Sequence, residues 1–197
     1  MDVTPSIRSF AQAIDRQRQQ LERIPLLRAV GDVLMTARAL DEAEAAALAI
    51  EAEDSDLTRF GLAATQVSIP VLRATPLAEE FRVYESRAAG ADAVLFSASA
   101  VPVELLTRLL LAAKSTHMAG CVACTSPQEI AKAVEAKAPV VIVPAALLPS
   151  ASVPRTLFVA DRFVKGLRGR ADAALDDSFA SAADPAQAFR AALEEEP

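Results

Sequence analysis

The sequence has no tryptophan, a single histidine and two cysteines among its 197 residues. Two cysteines and one histidine are too few for a zinc site. His117 precedes a predicted strand instead of following one, which argues against a Ser/His/Asp triad and against a general-base role. We therefore expect no metal site and no cofactor.

The sequence also lacks an excess of basic residues and any long apolar run. The 20 Lys and Arg residues against 26 Asp and Glu residues give a net charge of −6, whereas nucleic-acid phosphates are bound by basic surfaces. No apolar run reaches the ~18 residues of a membrane span. Charged residues interrupt the amino-terminal segment, which is unlike a secretory signal. We expect a cytoplasmic protein with no nucleic-acid or membrane partner.

Hydrophobic residues make up 52% of the chain and aromatic residues only 5%, so the core must be aliphatic and rich in alanine. The length fits a single domain. Thr4 and Pro5 form a helix start, and apolar residues recur at helical spacing up to Ile24, where Pro25 should end the helix. We predict an N-terminal helical arm over residues 1–25 and a body over residues 26–197.

In the body, short apolar runs alternate with helical patterns, which is typical of βα units and a parallel sheet. The eight predicted strands lie at residues 32–35, 47–51, 70–73, 93–96, 121–124, 140–143, 157–160 and 173–175. The predicted helices lie at residues 56–67, 77–89, 102–114, 127–136, 162–167 and 185–195.

Two connections in this pattern are too short for the usual outer helix. Residues 36–46 leave room for one or two helical turns, and Pro144, Pro149 and Pro154 exclude a regular helix before the seventh strand. Parallel strands are apolar on both faces, so a missing helix should leave an apolar patch bare. We expect a second copy of the chain, or another protein, to cover the face between Pro144 and Arg155.

Cys121 and Cys124 have the spacing of a redox motif, but that motif normally opens a helix. Here the two cysteines lie in a predicted strand, where residues three apart point to opposite faces. We therefore predict two free, buried, structural thiols and no disulfide.

Two segments carry a resemblance to a known family. The run Pro-Val-Leu-Arg at residues 70–73, followed by a helix and strand pattern at residues 84–95, resembles one strand–helix–strand unit of indole-3-glycerol-phosphate synthase. The similarity is strongest over residues 69–143, and a weaker similarity continues to residue 190. It implies a shortened or degenerate (β/α)8 barrel with an extra N-terminal helix, since such barrels typically need about 250 residues.

The resemblance also implies a site, because the family closes a pyrrole ring with loss of carbon dioxide and water from a phosphorylated substrate. It uses a lysine as general acid and a glutamate as general base. Where the family keeps these and other site groups, this chain has different residues. In the first strand they are Asp32 and Leu34, in the third Ala74, in the fifth Ala123, after the sixth Pro144, after the seventh Arg162 and after the eighth Asp177.

We therefore predict no catalytic residues and a pseudoenzyme that acts through binding, scaffolding or regulation. Two alternatives stay open: an enzyme or small-molecule-binding barrel with altered chemistry, and residual synthase activity in tryptophan biosynthesis.

Other polar residues also fall at predicted strand ends. They are Glu51, Glu53, Asp54, Arg73, Ser97, Thr125, Asp161 and Asp176. Two neighbouring carboxylates, Asp176 and Asp177, should repel a phosphate, and Arg162 can pair with either of them or with Asp161. Such carboxylates could instead bind Mg²⁺ or Ca²⁺, although no spacing here matches a known metal loop.

Overall fold

The computed structural model describes residues 3–16, 19–149 and 153–194, and eight parallel strands form a closed barrel at its centre. The strands are β1 Glu22–Arg28, β2 Leu48–Glu51, β3 Val71–Pro76, β4 Ala93–Ser97, β5 Ala119–Ala123, β6 Val140–Val143, β7 Leu157–Ala160 and β8 Ala173–Asp176. The barrel closes where β1 pairs with β8, from Glu22 opposite Ala173 to Pro25 opposite Asp176. The predicted (β/α)8 fold class is confirmed.

Seven helices accompany these strands within the described residues. They are α1 Phe10–Ile14, α2 Val33–Glu42, α3 Leu57–Ala64, α4 Glu80–Ala88, α5 Val103–Ser115, α6 Pro127–Glu135 and α7 Pro185–Glu194. Helices α2 to α6 each connect two successive strands, which places them on the outside of the barrel. None of the helices in the described residues is long and apolar enough to cross a membrane.

The inside of the barrel is filled by small and aliphatic side chains that alternate along each strand. The inward-facing residues include Ile24, Ala49, Leu72, Leu95, Cys121, Ile142, Val159 and Leu175. Phe10 and Ile14 of α1 pack against the same cluster, beside the alanines that begin β4 and β8. Helix α1 therefore closes the amino-terminal end of the barrel, in place of the long arm predicted over residues 1–25.

The N-terminal segment is fastened by a buried carboxylate. Asp92 directly precedes β4 and accepts a hydrogen bond from the Val71 amide at 3.0 Å. It also pairs with Arg8 at 2.7 Å and accepts a hydrogen bond from the Ser6 hydroxyl. Arg8 in turn donates to the carbonyls of Val67 and Ile69 at 2.7 and 3.0 Å. A single guanidinium thus ties the segment before α1 to the wall of the barrel.

The predicted first strand is wrong. Residues 32–35 begin α2, and the carboxylate of Asp32 caps that helix by accepting from the Met35 amide at 3.3 Å. The first strand lies earlier, and Pro25 is inside it instead of ending a helix. Leu21, Ile24 and Leu27 suit a helical face as well as a strand, so local spacing did not separate the two. Because β1 comes earlier, residues 36–46 hold most of a ten-residue helix and are not shortened.

The expectation about missing helices holds in part. No helix is described between β6 and β7, as the prolines predicted, and none between β7 and β8, where the helix predicted at residues 162–167 is wrong. Gly166 and Gly169 in that connection have φ of 85° and 76°, which breaks a helix.

The outer face of these strands is nevertheless not bare. Val143, Phe158 and Ala160 are 0% exposed, because apolar residues of the two connections pack on them, among them Leu148 and Leu167. For the described residues between Pro144 and Arg155, the patch that was expected to attract a partner is therefore absent. Residues 150–152 of this face lie outside the described residues.

The two cysteines lie on opposite sides of the barrel wall, as predicted. Cys121 faces the interior, whereas Cys124 packs in the layer between strands and helices, and both are free and buried. Burial raises the pKa of the Cys121 thiol. Burial, with the charge of Glu129, raises the pKa of Cys124 to about 12. Both thiols are therefore inert at neutral pH.

Candidate functional site

The carboxyl ends of the strands form the mouth at which barrels of this kind place their sites. Side chains alternate along a strand, so the residues two positions beyond the interior cluster face the mouth. They are Arg28, Glu51, Ala74, Ser97, Ala123, Pro144, Asp161 and Asp177. Of these eight positions, three carry an acid, one carries an arginine and none carries a lysine.

A cavity of about 520 Å³ opens at this mouth between β1, β2, the segment after β8 and α2. The apolar part of its wall consists of Leu26, Leu27, Val30, Val33 and Ala180, and the polar part consists of Arg28, Asp32, Thr36, Glu51, Asp177 and Ser181. The guanidinium of Arg28 pairs with Glu51 at 3.1 Å, although Arg28 is 78% exposed, so the pair is weak. Three carboxylates against one arginine leave the cavity with a negative charge.

Arg73, in the middle of β3, points away from the mouth. Its side chain is 0% exposed and donates to the Ala52 carbonyl at 3.0 Å, to the Ser86 hydroxyl at 3.0 Å and to the Asp54 carboxylate at 2.8 Å. The hydrogen bond from Arg73 lowers the pKa of Asp54. Arg73 and Asp54 were both candidates for the mouth, and both instead support the outer wall. The next residue, Ala74, packs with the interior cluster.

The end of β5 is likewise occupied by helix-capping contacts. Ala123 packs with the interior cluster, and the Thr125 amide and hydroxyl donate to Glu129 at 2.7 and 3.1 Å. The Ser126 hydroxyl accepts from the Glu129 amide at 3.3 Å and caps the start of α6. The predicted site position Thr125 therefore lies just before this helix and bonds to its first turn.

Lys132 belongs to the same helix and is also engaged away from the mouth. Its ammonium donates to the carbonyls of Ala98, at 2.6 Å, and Val101. It thereby holds the connection that follows β4.

The charged residues at the ends of β7 and β8, which were predicted to lie close together, lie apart in the structure. Arg162 is 76% exposed and pairs with Asp161 at 3.7 Å, so one of the three predicted pairings is confirmed. Asp176 faces outward, where it pairs with Arg23 and accepts from the Ser178 amide at 3.0 Å. Only Asp177 of the two neighbouring carboxylates remains at the mouth.

The predicted site residues are thus only partly brought together. Asp32 and Asp177 line the mouth cavity, and Ala74 and Ala123 pack against the interior cluster. Leu34 lies within α2, and Pro144 precedes a short 3₁₀ turn at residues 145–147. No group of three or more His, Cys, Asp or Glu side chains in the described ranges is arranged to hold a metal ion.

Eight cavity residues were missed by the sequence reasoning: Leu26, Leu27, Arg28, Val30, Val33, Thr36, Ala180 and Ser181. Arg28 and Val30 depend on the true position of β1, and Thr36 depends on where α2 begins. The alternation of β3 itself could have placed Arg73 outside, because the residue before it, Leu72, is apolar and faces inward.

Comparison with known proteins gives one consistent family. The family model described as indole-3-glycerol phosphate synthase matches residues 3–150. The synthase of Mycolicibacterium smegmatis is 30% identical over 145 residues, which cover 72% of this chain and 53% of that protein. The synthase of Kineococcus radiotolerans is 36% identical over 75 residues, which cover 38% of this chain and 27% of that protein. The chain therefore spans about half the length of M. smegmatis synthase and less of the other.

Solved structures agree on the fold alone. A 3-hexulose-6-phosphate synthase superposes with a TM-score of 0.67 at 17% identity, over 88% of this chain and 99% of that one. A mutant tryptophan synthase alpha-subunit from Pyrococcus furiosus superposes with a TM-score of 0.65 at 17% identity, over 89% of this chain and 96% of that one.

Proposed function

Because this chain belongs to the indole-3-glycerol phosphate synthase family, we propose that it is a cytoplasmic pseudoenzyme of that family, which binds a ligand or partner instead of turning over substrate. The observation that carries the proposal is the pair Ala74 and Ala123. Ala74 lies in the second half of β3, Ala123 ends β5, and both pack with the interior cluster, at the positions where the family resemblance puts the lysine acid and the glutamate base. A methyl group can neither donate nor accept a proton.

The charge of the mouth supports the same proposal. A phosphorylated substrate would meet Asp32, Glu51 and Asp177 in the cavity, and the one lining arginine, Arg28, already pairs with Glu51. A carboxylate within ~4–6 Å of a phosphate charge costs roughly 3–4 kcal/mol at an effective dielectric constant near 20. The 3₁₀ turn after β8, Ser178–Ser181, contains no glycine with which to cradle the phosphate.

Activity assays test the proposal directly. We expect the purified chain to show no turnover of the phosphorylated carboxyphenylamino-deoxyribulose substrate and no rescue of a synthase-deficient tryptophan auxotroph. Calorimetry should detect no binding of indole-3-glycerol phosphate at millimolar concentration. Turnover, rescue or millimolar phosphate-dependent affinity would each contradict the proposal.

A matched variant separates the missing proton-transfer groups from the missing phosphate site. We expect Ala74→Lys with Ala123→Glu to stay inactive, because the added groups do not restore phosphate binding. If this double variant became active, the mouth would still bind substrate, and only the chemistry would have been lost.

The mouth cavity supports a second candidate, a small-molecule-binding barrel with altered chemistry. Its volume of about 520 Å³ is typical of ligand pockets. Its charge favours cationic or zwitterionic compounds over phosphorylated ones. A thermal-shift screen of both classes, repeated on Glu51→Gln, tests this candidate. It fails if no compound raises the melting temperature, or if the variant responds to every compound as the wild type does.

A further inference from the structure

A groove of about 960 Å³ lies at the opposite, amino-terminal end of the barrel. It is bounded by α1, by the carboxyl-terminal ends of α5 and α6, and by the segments that begin β5 and β6. Its floor is apolar and consists mainly of Phe10, Leu110, Met118, Gly120 and Pro139. Helix α5 packs less closely on α6 than on α4, which leaves this space open.

Gly120 fixes the depth of the floor. A Cβ at this position would lie 2.5 Å from Leu110 Cδ2 and 3.2 Å from Phe96 Cε2. Only glycine lets the Leu110 side chain lie directly on the β5 backbone, where it forms the inner wall of the groove. The groove is therefore built into the packing of α5 on the barrel.

The charged groups of the groove lie at its rim, and two of the three are positive. Lys114 lies in the last turn of α5 and Lys137 follows α6, and both are exposed, as is the one acid of the lining, Glu135. Neither lysine forms an ion pair with another described residue. Cations near helix ends also offset the helix dipole, but that effect does not require them to surround a single apolar cavity.

An apolar floor below a cationic rim is complementary to a molecule with an apolar chain and one anionic head group. Because the protein as a whole has a net charge of −6, this local excess of basic groups stands apart from the rest of the surface. The volume lies within the range of small-molecule sites, roughly 300–1,000 Å³. We propose that the groove binds an amphiphilic carboxylate, with its chain on Leu110 and Met118 and its head at Lys114 and Lys137.

A chain-length series on the intact protein tests this site by calorimetry. Affinity should rise about 2- to 4-fold for each methylene added from hexanoate to decanoate. Decanol has the same chain without the charge and should bind at least tenfold more weakly than decanoate. Equal binding of decanol and decanoate, or no dependence on chain length, would overturn the proposal.

Two opposite substitutions at one exposed position provide matched variants. Leu111 lines the groove and is 58% exposed, so replacing it should leave the fold intact. Leu111→Glu should lower the affinity for decanoate at least tenfold, whereas Leu111→Lys should leave that affinity unchanged. The double variant Lys114→Gln with Lys137→Gln should also lower the affinity at least tenfold. Lys165→Gln, which lies outside the groove lining, should leave it unchanged. Equal effects of Leu111→Glu and Leu111→Lys, or an equal loss in Lys165→Gln, would contradict the site.

Light scattering distinguishes a small ligand from a second copy of the chain. A monomer whose size is unchanged by decanoate is expected. If the protein were a dimer that the Leu111→Glu substitution dissociates, the groove would be the interface with the second copy, and the proposal of an amphiphile site would be overturned. The synthase assays concern the other end of the barrel, so their outcome does not decide whether this groove binds an amphiphile.

Discussion

The barrel wall is covered in two different ways, and both bury it fully. On the helix-covered side, strands β1–β5 lie under α2–α6. On the loop-covered side, β6–β8 lie under the described residues 144–149 and 153–156 and under the connection at residues 161–172. Val94 and Phe96 on the first side and Phe158 and Ala160 on the second are all 0% exposed. The burial of a parallel strand therefore requires apolar side chains above it, and a loop can supply them as well as a helix can.

The loop-covered side depends on polar anchors that hold its loops against the strands. Arg23 of β1 pairs with Asp176 of β8 and donates to the Ala192 carbonyl at 3.1 Å. The ring of Phe163, from the connection between β7 and β8, stacks 3.8 Å from the Arg23 guanidinium carbon. One buried ion pair thus joins the barrel seam, the last helix and a loop that has no helix of its own.

Both sides use the same aspartate contact just before a strand. The run Ala-Asp-Ala at residues 91–93 leads into β4, and the same run at residues 171–173 leads into β8. Each aspartate accepts from an amide of the preceding strand, at 3.0 Å for Val71 and 2.8 Å for Phe158. The strand pairing is therefore built alike on the two sides, and the difference is confined to the outer layer.

The largest expected effect comes from breaking the anchor of the loop-covered side. Arg23→Met leaves the buried Asp176 carboxylate without its partner, which should lower the free energy of unfolding by about 3–5 kcal/mol. The matched change on an exposed pair, Arg28→Met, should cost at most about 1 kcal/mol. Urea unfolding of both variants measures the difference. Equal stability of the two would mean that the ion pair does not hold the seam.

A second comparison removes the same side chain under a loop and under a helix. Leu167, in the β7–β8 connection, and Leu106, in α5, are 1% and 0% exposed. Leucine-to-alanine changes in cores cost about 2–5 kcal/mol, and the cost falls where the surroundings can collapse. We expect about 2 kcal/mol for Leu167→Ala and about 4 kcal/mol for Leu106→Ala in urea unfolding. A larger cost for Leu167→Ala would show that the loop is packed as rigidly as the helix.

The sequence predicted the parts of this fold that are marked by short-range signals. Residues 140–143 and 157–160 are strands with the predicted bounds, because β-branched and aliphatic runs stop at prolines and turns. Three prolines predicted that no α-helix follows β6, and the described part of that connection has none. The sequence could not predict that Leu148 and Leu167 cover the outer face of these strands, because that depends on where distant loop residues fold back onto the barrel.

The misplaced first strand and the missed Arg28 have the same physical origin: β1 is defined by the strands with which it pairs. Pro25 suggests a helix end locally, but closure of the barrel pairs it with Asp176, about 150 residues away in sequence. That error also hid Arg28, the one arginine of the mouth cavity. The predicted strands put Ala74 just after one strand and Ala123 inside another, whereas Ala74 lies within β3, which continues to Pro76, and Ala123 is the last residue of β5.

The smallest expected effect concerns local opening, measured by the labelling of single thiols. Cys124 lies under the helix-covered side, and Ala160→Cys in a background without the natural cysteines places a thiol under the loop-covered side; both positions are buried. Labelling requires the cover to open, because the buried Cys124 thiol has a pKa of about 12 and reacts only when exposed. Loops open at lower free energy than packed helices. We expect Ala160→Cys to label about tenfold faster than Cys124, which equals about 1.4 kcal/mol.

The labelling comparison is valid only if global unfolding is the same for the two proteins. Cys121→Ala, which leaves Cys124 as the one thiol, and the Ala160→Cys variant should therefore first be matched by urea unfolding. A variant without cysteine sets the background rate. Equal labelling rates at matched stability would mean that both covers open only with the whole barrel. The loop-covered side would then be as cooperative as the helix-covered side, because its anchors at Arg23 and Asp172 couple each loop to the strands beneath it.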